Sequence, residues 1–209
     1  MDALSYTYKG NQLQSVSEGA LTGYGFKGRS SNYSYDVNGN MLTDTGKGIH
    51  TITYNHLNLP TQVSLSQGNI EYLYDATGLK LKKTVGSNVT AYTGATVYKN
   101  GELELIHTPE GYVEPLDNGY RYIYRLQDHL GNTRVSFAKD TATGSTTLIE
   151  TNDYYPFGLE HGKQNSVSSS SNLGQNWKYN GKEIQTELGL DWYDYGARNY
   201  NASLGRGYR

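Results

Sequence analysis

The amino-acid sequence predicts an all-β protein: an antiparallel β-meander of repeated units that forms a curved sheet or a partial shell, with little helix. Three observations support this prediction. Aromatic pairs recur along the 209-residue chain at intervals of 19 to 27 residues. Turn-forming Asn-Gly and Gly-Asn dipeptides follow many of these pairs. Around the turns, apolar and polar residues alternate, and a period of two is the period of a strand.

The repeated element is a Tyr-x-Tyr pair or a close variant that keeps the second tyrosine. Alternate residues of a strand lie on the same face, so each pair places two side chains on one side of the sheet. Tyrosine also favours strands, and the chain contains 21 tyrosines. The second members of the six clearest pairs are Tyr8, Tyr35, Tyr54, Tyr74, Tyr98 and Tyr124.

Most pairs are followed by a turn and a second alternating run. In YLYDATGLKLKKTV, residues 72–85, Leu79 and Leu81 alternate with lysines after the turn. In YKNGELELIH, residues 98–107, leucines alternate with Glu102 and Glu104. These runs predict strands with one apolar and one polar face. One repeat accommodates two strands of about six to eight residues and two turns.

An aspartate and a histidine are adjacent in YRYIYRLQDHLGNTRVSF, residues 120–137, which raises the question of an active site. Alternation predicts one strand before Asp128 and another after Asn132. Asp128 is able to cap a turn through its own backbone, and Gly131-Asn132 supplies positions with positive φ. We therefore predict a hairpin tip, because a catalytic role for His129 requires convergent groups and not adjacency alone.

The chain changes character near residue 153, and we predict two segments. Residues 1–152 form the repeat-bearing sheet strip, and residues 153–209 form a C-terminal segment with separate aromatic, glycine-punctuated motifs. Within the second segment, residues 161–176 are rich in serine and poor in apolar side chains, which predicts a mobile loop. The best candidate for a helix is a short piece within residues 182–188.

The composition excludes several classes of protein. With 18 basic and 20 acidic residues, the net charge of −2 provides no electrostatic footprint for nucleic acid or an anionic membrane. No stretch approaches 18 apolar residues, so no membrane span is expected. The first residues lack the pattern of a signal peptide. The absence of cysteine excludes disulfides and thiolate chemistry.

Candidate chemical sites are weak, and we predict no catalytic residue, no cofactor-binding residue and no metal ligand. Residues 23–28 match G-x-G-x-x-G, but a turn and a strand follow where a dinucleotide site requires a helix. Glu102/Glu104 and Asp191/Asp194 are neighbouring carboxylates, as a glycosidase cleft would require. Glu102 and Glu104 share a strand face and alternate with leucines, which a solvated face explains. No G-x-S-x-G elbow is present. The histidines are scattered without metal-ligand spacing; they are His50, His56, His107, His129 and His161.

Two further features remain open to a functional interpretation. The tyrosine rows are suited to stacking on sugars or to holding an extended partner, but cross-strand ladders that stabilise the sheet explain them better, since they recur at every repeat. Three sequons, at Asn32, Asn88 and Asn201, have meaning only in a glycosylating host.

The chain resembles the RHS/YD-repeat family, which is named for Tyr-Asp at strand–turn junctions. Residues 1–110 resemble degenerate YD repeats. Four later segments resemble, in order, the RHS repeat-associated core: YRLQDHLGNTRV (124–135), DYYPFG (153–158), YNGKEIQTELG (179–189) and YDYGARNYNASLGR (193–206). The resemblance implies a long β-sheet strip that spirals into a hollow shell. In the family, such shells enclose a polymorphic C-terminal region, often a toxin, in bacterial secreted or surface proteins.

Two departures from the family limit what the resemblance implies. Tyr200 is followed by Asn201-Ala202 where the family usually has Asp-Pro. Gly205-Arg206 is followed by Gly207-Tyr208-Arg209 where the family has Trp and self-cleaving aspartates. No autoproteolytic residue is therefore assigned, and we expect a fragment or a short member without its toxin.

We expect a non-enzymatic structural fragment of an RHS-type shell that encapsulates or presents a C-terminal toxin or effector in a bacterium, secreted or at the cell surface. The expected partners are the remainder of a shell, or other copies through sheet edges, together with toxin cargo or a glycan; nucleic acid and a membrane are not among them. The alternative is a carbohydrate- or cell-surface-binding module that uses the tyrosine-rich faces. A glycoside-directed enzyme is a third, weaker interpretation.

Overall fold

The structure, a computed structural model, describes residues 3–19, 25–26, 30–140, 143–161 and 173–208. This part of the chain contains no α-helix and is built of antiparallel strands, which confirms the predicted all-β meander. The main sheet has fifteen strands, and their order across the sheet is their order along the chain. Among the described residues β1 and β15 each have one neighbour, so the sheet is open.

The strands of the main sheet are short and are joined by turns. They are β1 (Leu4–Lys9), β2 (Gln12–Glu18), β3 (Ser30–Tyr35), β4 (Met41–Asp44), β5 (Ile49–Tyr54), β6 (Pro60–Leu65), β7 (Gly68–Tyr74), β8 (Lys80–Val85), β9 (Asn88–Thr93), β10 (Thr96–Lys99), β11 (Glu102–Thr108), β12 (Gly111–Leu116), β13 (Gly119–Gln127), β14 (Thr133–Lys139) and β15 (Thr146–Thr151). A second sheet contains β16 (Glu183–Gln185), β17 (Trp192–Asp194), β18 (Asn199–Asn201) and β19 (Arg206–Tyr208). Short 3-10 helices in the described residues are Thr45–Lys47, Leu173–Asn176, Tyr179–Gly181 and Glu187–Gly189.

The helix expected within residues 182–188 does not form, so this prediction is wrong. The stretch contains the strand β16 and then enters the 3-10 helix Glu187–Gly189. Leu188 and Gly189 have φ angles of 53° and 77°, in the left-handed region. An α-helix does not continue through that region, because L-residues in it clash with the following carbonyl.

The chain divides into two compact units, and the first combines Met1–Ser87 with Gln185–Arg209. Apolar side chains of its repeats form a fully buried core on one face of the strip. Leu190, Trp192 and Tyr208, from the end of the chain, belong to the same core. The C-terminal part of this unit thus covers an apolar face that a single repeat is unable to bury by itself. The most deeply buried members from the strip are Leu13, Val16, Met41, Ile49, Val63 and Ile70.

The second unit is Asn88–Ile184 and has its own core. Leu173 and Trp177 pack against that core from the C-terminal segment. Leu173–Asn176, at the end of the predicted mobile loop, form a 3-10 helix in which Gly174 and Gln175 are buried, and the mobility of the loop stays a prediction. Residues 162–172 of that predicted loop lie outside the described residues. The buried members of the core are Val97, Leu105, Tyr112, Ile123, Ala138 and Ile149.

The division into units falls inside the C-terminal segment, between Ile184 and Gln185. The sequence-based boundary between residues 152 and 153 marks a change in repeat character and stays a prediction. Within the part of the chain that the structure describes, helices are too short and too polar for any of them to cross a membrane.

Candidate functional site

The segment with adjacent aspartate and histidine folds as a hairpin between β13 and β14. The Asp128 N–H donates to the Asn132 carbonyl at 3.0 Å, and the Gly131 N–H donates to the Asp128 carbonyl at 2.9 Å. Asp128 Oδ1 accepts from the N–H groups of Leu130 and Asn132, at 2.9 and 3.1 Å. His129 is exposed at the tip. The carboxylate is thus engaged by the turn, and the Asn132 side chain donates to its Oδ2 at 2.8 Å.

Burial raises the pKa of Asp128, but hydrogen bonds from the side chain and N–H of Asn132 and from the N–H of Leu130 outweigh it, so the pKa lies below its ordinary value. The unfolded chain has the ordinary aspartate pKa of about 3.9. Because the pKa is lower in the folded state, the stabilisation is present above the unfolded value and is lost as the pH falls through the folded value.

Asp128→Ala is expected to lower the free energy of unfolding at neutral pH by about 1 kcal/mol, because the turn loses its side-chain acceptors. The difference from the wild type should shrink when both are compared below about pH 3.9. Urea unfolding at the two pH values measures this. His129→Ala is the control and should change stability by less than about 0.5 kcal/mol; a loss as large as that of Asp128→Ala would contradict the assignment of the turn.

The same turn recurs in the first unit, with Asp36, Asn55 and Asp75 at the position of Asp128. In each, the side-chain Oδ1 accepts from the N–H groups two and four residues later, at 2.8 to 3.0 Å. The backbone N–H of the same residue donates to the carbonyl four residues later. The residue three positions later has positive φ, which glycine or asparagine adopts most readily; these residues are Gly39, Asn58 and Gly78, with φ of 82°, 58° and 88°. The Tyr-Asp motif at the end of a strand therefore has a physical explanation, because the aspartate side chain accepts two backbone hydrogen bonds that close the turn.

The tyrosine before the turn also has a defined role. The hydroxyl of Tyr35 donates to the Leu13 carbonyl at 2.8 Å, and that of Tyr54 donates to the Met41 carbonyl at 2.6 Å. In each case the acceptor lies just after the preceding turn. Burial raises the pKa of both tyrosines, so they remain protonated donors at neutral pH. A partly buried tyrosine needs such an acceptor, and here the bond joins each hairpin to the one before it.

The first residue of each turn, hereafter the turn residue (Asp36, Asn55 or Asp75), determines which positions of the strand before it face the core. Three positions before the turn residue, Tyr33, Ile52 and Tyr72 are buried. Two positions before it, the side chain is exposed, as at Leu73. This follows from the period of two along a strand.

Strand β13 obeys the same rule with a different sequence. Arg125 lies three positions before Asp128, where the first unit has tyrosine or isoleucine. Gln127 lies one position before it, where the first unit has tyrosine. The pair Tyr122 and Tyr124 is six and four positions before it, so both tyrosines lie on the exposed face. The two members of a pair share a face, as the alternation predicts, but the motif by itself does not distinguish these two classes of pair. The distance of a pair from the first residue of the turn does.

In the first unit, the C-terminal part is held on the strip by charged side chains. Lys80 Nζ lies 2.6 Å from Asp194 Oδ2, and Lys83 Nζ lies 2.5 Å from Glu187 Oε1. The side chain of Lys83 is 1% exposed, so its charge requires this partner. Two lysine side chains of the strip thus form ion pairs with acidic side chains of the C-terminal part.

In the second unit, the C-terminal segment contacts the hairpin at Asp128. The Asn180 N–H donates to Asn132 Oδ1 at 2.8 Å, and Asn180 Nδ2 donates to the Leu130 carbonyl at 2.9 Å. Thr133 Oγ1 donates to the Trp177 carbonyl at 3.0 Å. The segments that most resemble the RHS core therefore contact one another, and the hairpin tip is a docking point for residues about 50 positions later.

A cavity of about 230 Å³ in the second unit is the candidate binding site. His107 lies against Trp177, with ring centroids 4.4 Å apart in an edge-to-face arrangement. Burial, and then the charge of Arg125, lower the pKa of His107 to about 4, so the imidazole is neutral at neutral pH. Glu110 contributes a carboxylate to the lining. Other lining residues are Thr108, Pro109, Gly111, Gln127 and Gly181.

The remaining sequence candidates are not brought together. Asp194 pairs with Lys80, and the Leu173 N–H donates to Glu104 Oε1 at 3.3 Å, so one carboxylate of each pair is engaged by the protein itself. In the described ranges no group of three or more acidic or histidine side chains is arranged to hold a metal. Asn32 and Asn88 are exposed and Asn201 is buried. Most of the glycine motif at 23–28 lies outside the described residues.

A meander of hairpins that share one turn and one tyrosine bond, with the end of the chain packed on its core, is the fold expected of RHS/YD-repeat proteins. No family model matches the sequence, and no curated protein matches it. Solved structures do. The chain is similar to TcdB2-TccC3, with a TM-score of 0.66 and 16% identity over 98% of this chain. It is also similar to the Tc holotoxin pore of Photorhabdus luminescens, with a TM-score of 0.61 and 17% identity over 98% of the chain.

These matches confirm the predicted resemblance at the level of the fold, since the Tc toxin chains are RHS-repeat proteins. The chain spans 12% of the length of each of these solved chains. It therefore has the fold of part of an RHS-type sheet.

Proposed function

We propose that this chain is a structural, non-enzymatic part of an RHS-type β-shell that encloses or presents a C-terminal toxin or effector in a bacterium, outside the cell or at its surface. The observation that carries the proposal is the sheet, because fifteen strands in chain order match the fold of Tc toxin chains over nearly the whole sequence. A wall of this kind acts by excluding solvent and proteases from what lies behind it, and it needs no catalytic group.

Enclosure by so short a strip requires further strands, from the rest of a longer shell or from other copies. The strands available for such pairing are β1 and β15, at the two ends of the sheet order. An unpaired edge presents backbone N–H and C=O groups to any other strand. We expect the isolated chain to associate through an edge.

Light scattering over a concentration series tests this expectation, with Leu148→Lys as the variant. Leu148 is exposed on β15, and a lysine on an edge strand opposes strand addition. Leu126→Lys is the matched control, because Leu126 is also exposed but lies on the interior strand β13. The wild type and the control should associate, and Leu148→Lys should shift toward the monomer. A wild type that is strictly monomeric, with freely exchanging β15 amides, would contradict assembly through this edge.

Enclosure itself is tested with an unfolded reporter peptide fused after Arg209. In the associated protein, trypsin should cleave the reporter more slowly than in Leu148→Lys. Equal cleavage rates in associated and monomeric proteins would contradict enclosure, whatever the state of association.

A second candidate function, glycan or cell-surface binding, is favoured by one observation. Tyr120, Tyr122 and Tyr124 lie on the exposed face of β13, and Tyr122 is 58% exposed. The ring of Phe137 extends the row, stacked on Tyr124 with centroids 5.6 Å apart. An exposed aromatic row of this kind is able to stack on sugar rings, whereas the buried tyrosines of the first unit are not.

Tyr122→Ala is expected to abolish binding on a glycan array while it changes stability by no more than about 0.5 kcal/mol, because the ring is exposed. Tyr8→Ala is the control, since Tyr8 is an exposed tyrosine of the first unit and does not belong to this row. Circular dichroism verifies the fold of both variants. Retention of glycan binding by Tyr122→Ala, or its equal loss in Tyr8→Ala, would contradict this function.

A further inference from the structure

The second unit has a partly buried cation, Arg125, at a position where the first unit has tyrosine or isoleucine. Arg125 is three residues before the turn residue Asp128, and the corresponding residues of the first unit are Tyr33, Ile52 and Tyr72. Gln127 likewise stands where those repeats have the tyrosine that bonds to the preceding hairpin. Arg125 and Gln127 both line the cavity.

The guanidinium of Arg125 has few partners for its five N–H donors. One Nη2 hydrogen bond reaches the Gly174 carbonyl, and the group lies 4.6 Å above the centre of the Tyr112 ring. Its Nε is buried and makes no hydrogen bond. Among the described residues no carboxylate forms an ion pair with it.

The strand register explains why the nearest buried carboxylate does not pair with Arg125. Arg125 is opposite Ser136, which in turn is opposite Glu150, so a whole strand separates the two charges. Ser136 Oγ donates to Glu150 Oε1 at 2.8 Å and engages that carboxylate. A buried cation without a partner is costly unless an anion or a strong acceptor reaches it.

We propose that the cavity lined by Arg125, His107 and Trp177 binds a carboxylate group. A guanidinium presents parallel N–H donors that match the two oxygens of a carboxylate, which makes this the anion it recognises best. The volume of about 230 Å³ lies below the range of about 300–1,000 Å³ for sites of drug-sized ligands. The site therefore accepts a small organic acid or the end of a peptide chain. Glu110 in the lining disfavours a second negative charge near it.

The test is an NMR titration of the full chain with sodium acetate, with sodium succinate, and with a tripeptide whose C-terminus is either free or amidated. The chain has two tryptophans, and only Trp177 lines the cavity. The indole resonance of Trp177 and the Nε–Hε resonance of Arg125 should shift saturably, while the buried Trp192 should not respond. Saturation by acetate or succinate identifies a free acid as ligand, and saturation only by the free tripeptide identifies a chain terminus.

Arg125→Lys should weaken binding about tenfold or more, because a point charge replaces the paired donors. Arg134→Lys is the matched control and should bind as the wild type does, since Arg134 also lies over a tyrosine, Tyr154, but pairs with Asp153. Thr108→Phe fills the cavity without altering Arg125 and should also abolish binding. This second variant tests the site independently if Arg125→Lys destabilises the fold. No shift of Arg125 with any probe, equal binding by Arg125→Lys or Thr108→Phe, or equal binding of the amidated peptide would overturn the proposal.

Discussion

Trp192→Ala is expected to lower the free energy of unfolding of the first unit by about 3–5 kcal/mol. The side chain is almost completely buried, and its ring stacks on Tyr208 with centroids 6.0 Å apart. Removal of so large a side chain from the core leaves a cavity that the surrounding strands fill only in part. Since a domain has only about 5–15 kcal/mol of stability, this loss is a large fraction of the total.

Urea unfolding followed by circular dichroism measures the loss, with Trp192→Phe as the control. Phenylalanine keeps most of the apolar volume, and it also removes the indole Nε1, which is buried and makes no hydrogen bond. We expect Trp192→Phe to cost no more than about 1.5 kcal/mol. If Trp192→Ala were as mild as Trp192→Phe, the end of the chain would not be part of the core.

Lys83→Met is expected to have the second largest effect, a loss of about 3 kcal/mol. Lys83 is 1% exposed and Glu187 is 22% exposed, so the substitution leaves a mostly buried carboxylate without its cation. Breaking a buried pair from one side costs about 3–5 kcal/mol, and the partial exposure of Glu187 places the effect at the lower end. Glu187→Gln should also be destabilising, because it leaves the ammonium group of Lys83, which is 1% exposed, without its anion.

A double-mutant cycle separates the pair from its two members. In Lys83→Met combined with Glu187→Met, no unpaired charge remains, so the double variant should be more stable than Lys83→Met alone. Lys82→Met is the control, because Lys82 is exposed on the opposite face of β8. Additive losses in the cycle would show that the two side chains do not interact and would contradict this contact.

The local features of the fold could be read from the sequence because short-range chemistry fixes them. The alternation around Asp128 predicted β13 and β14, and the Asp and Gly residues predicted the turn between them. The position of Arg125 follows from the same alternation, since its distance from Asp128 places it on the same face as the buried Ile123, whereas Gln127 is exposed. The pair at Tyr122 and Tyr124 looks like the pairs of the first unit in sequence, and this likeness hides the difference in their faces.

The sequence by itself determined that the chain is a meander, where its main turns lie, and which residues of a strand share a face. It could not determine which face of a strand is covered. Leu79, just before β8, and Leu81 are exposed, while Lys80 and Lys83 pair with acidic residues more than 100 positions later. A register shift places Lys80 opposite Tyr74 and Lys83 opposite Tyr72, so that both lysines lie on the covered face. Alternation divides the residues of a strand between two faces. Which face is covered, and whether a leucine or a paired lysine lies on it, depends on the residues that pack against that face. The same reason applies to Leu173–Asn176, where Leu173 packs against the core of the second unit although the local composition is polar.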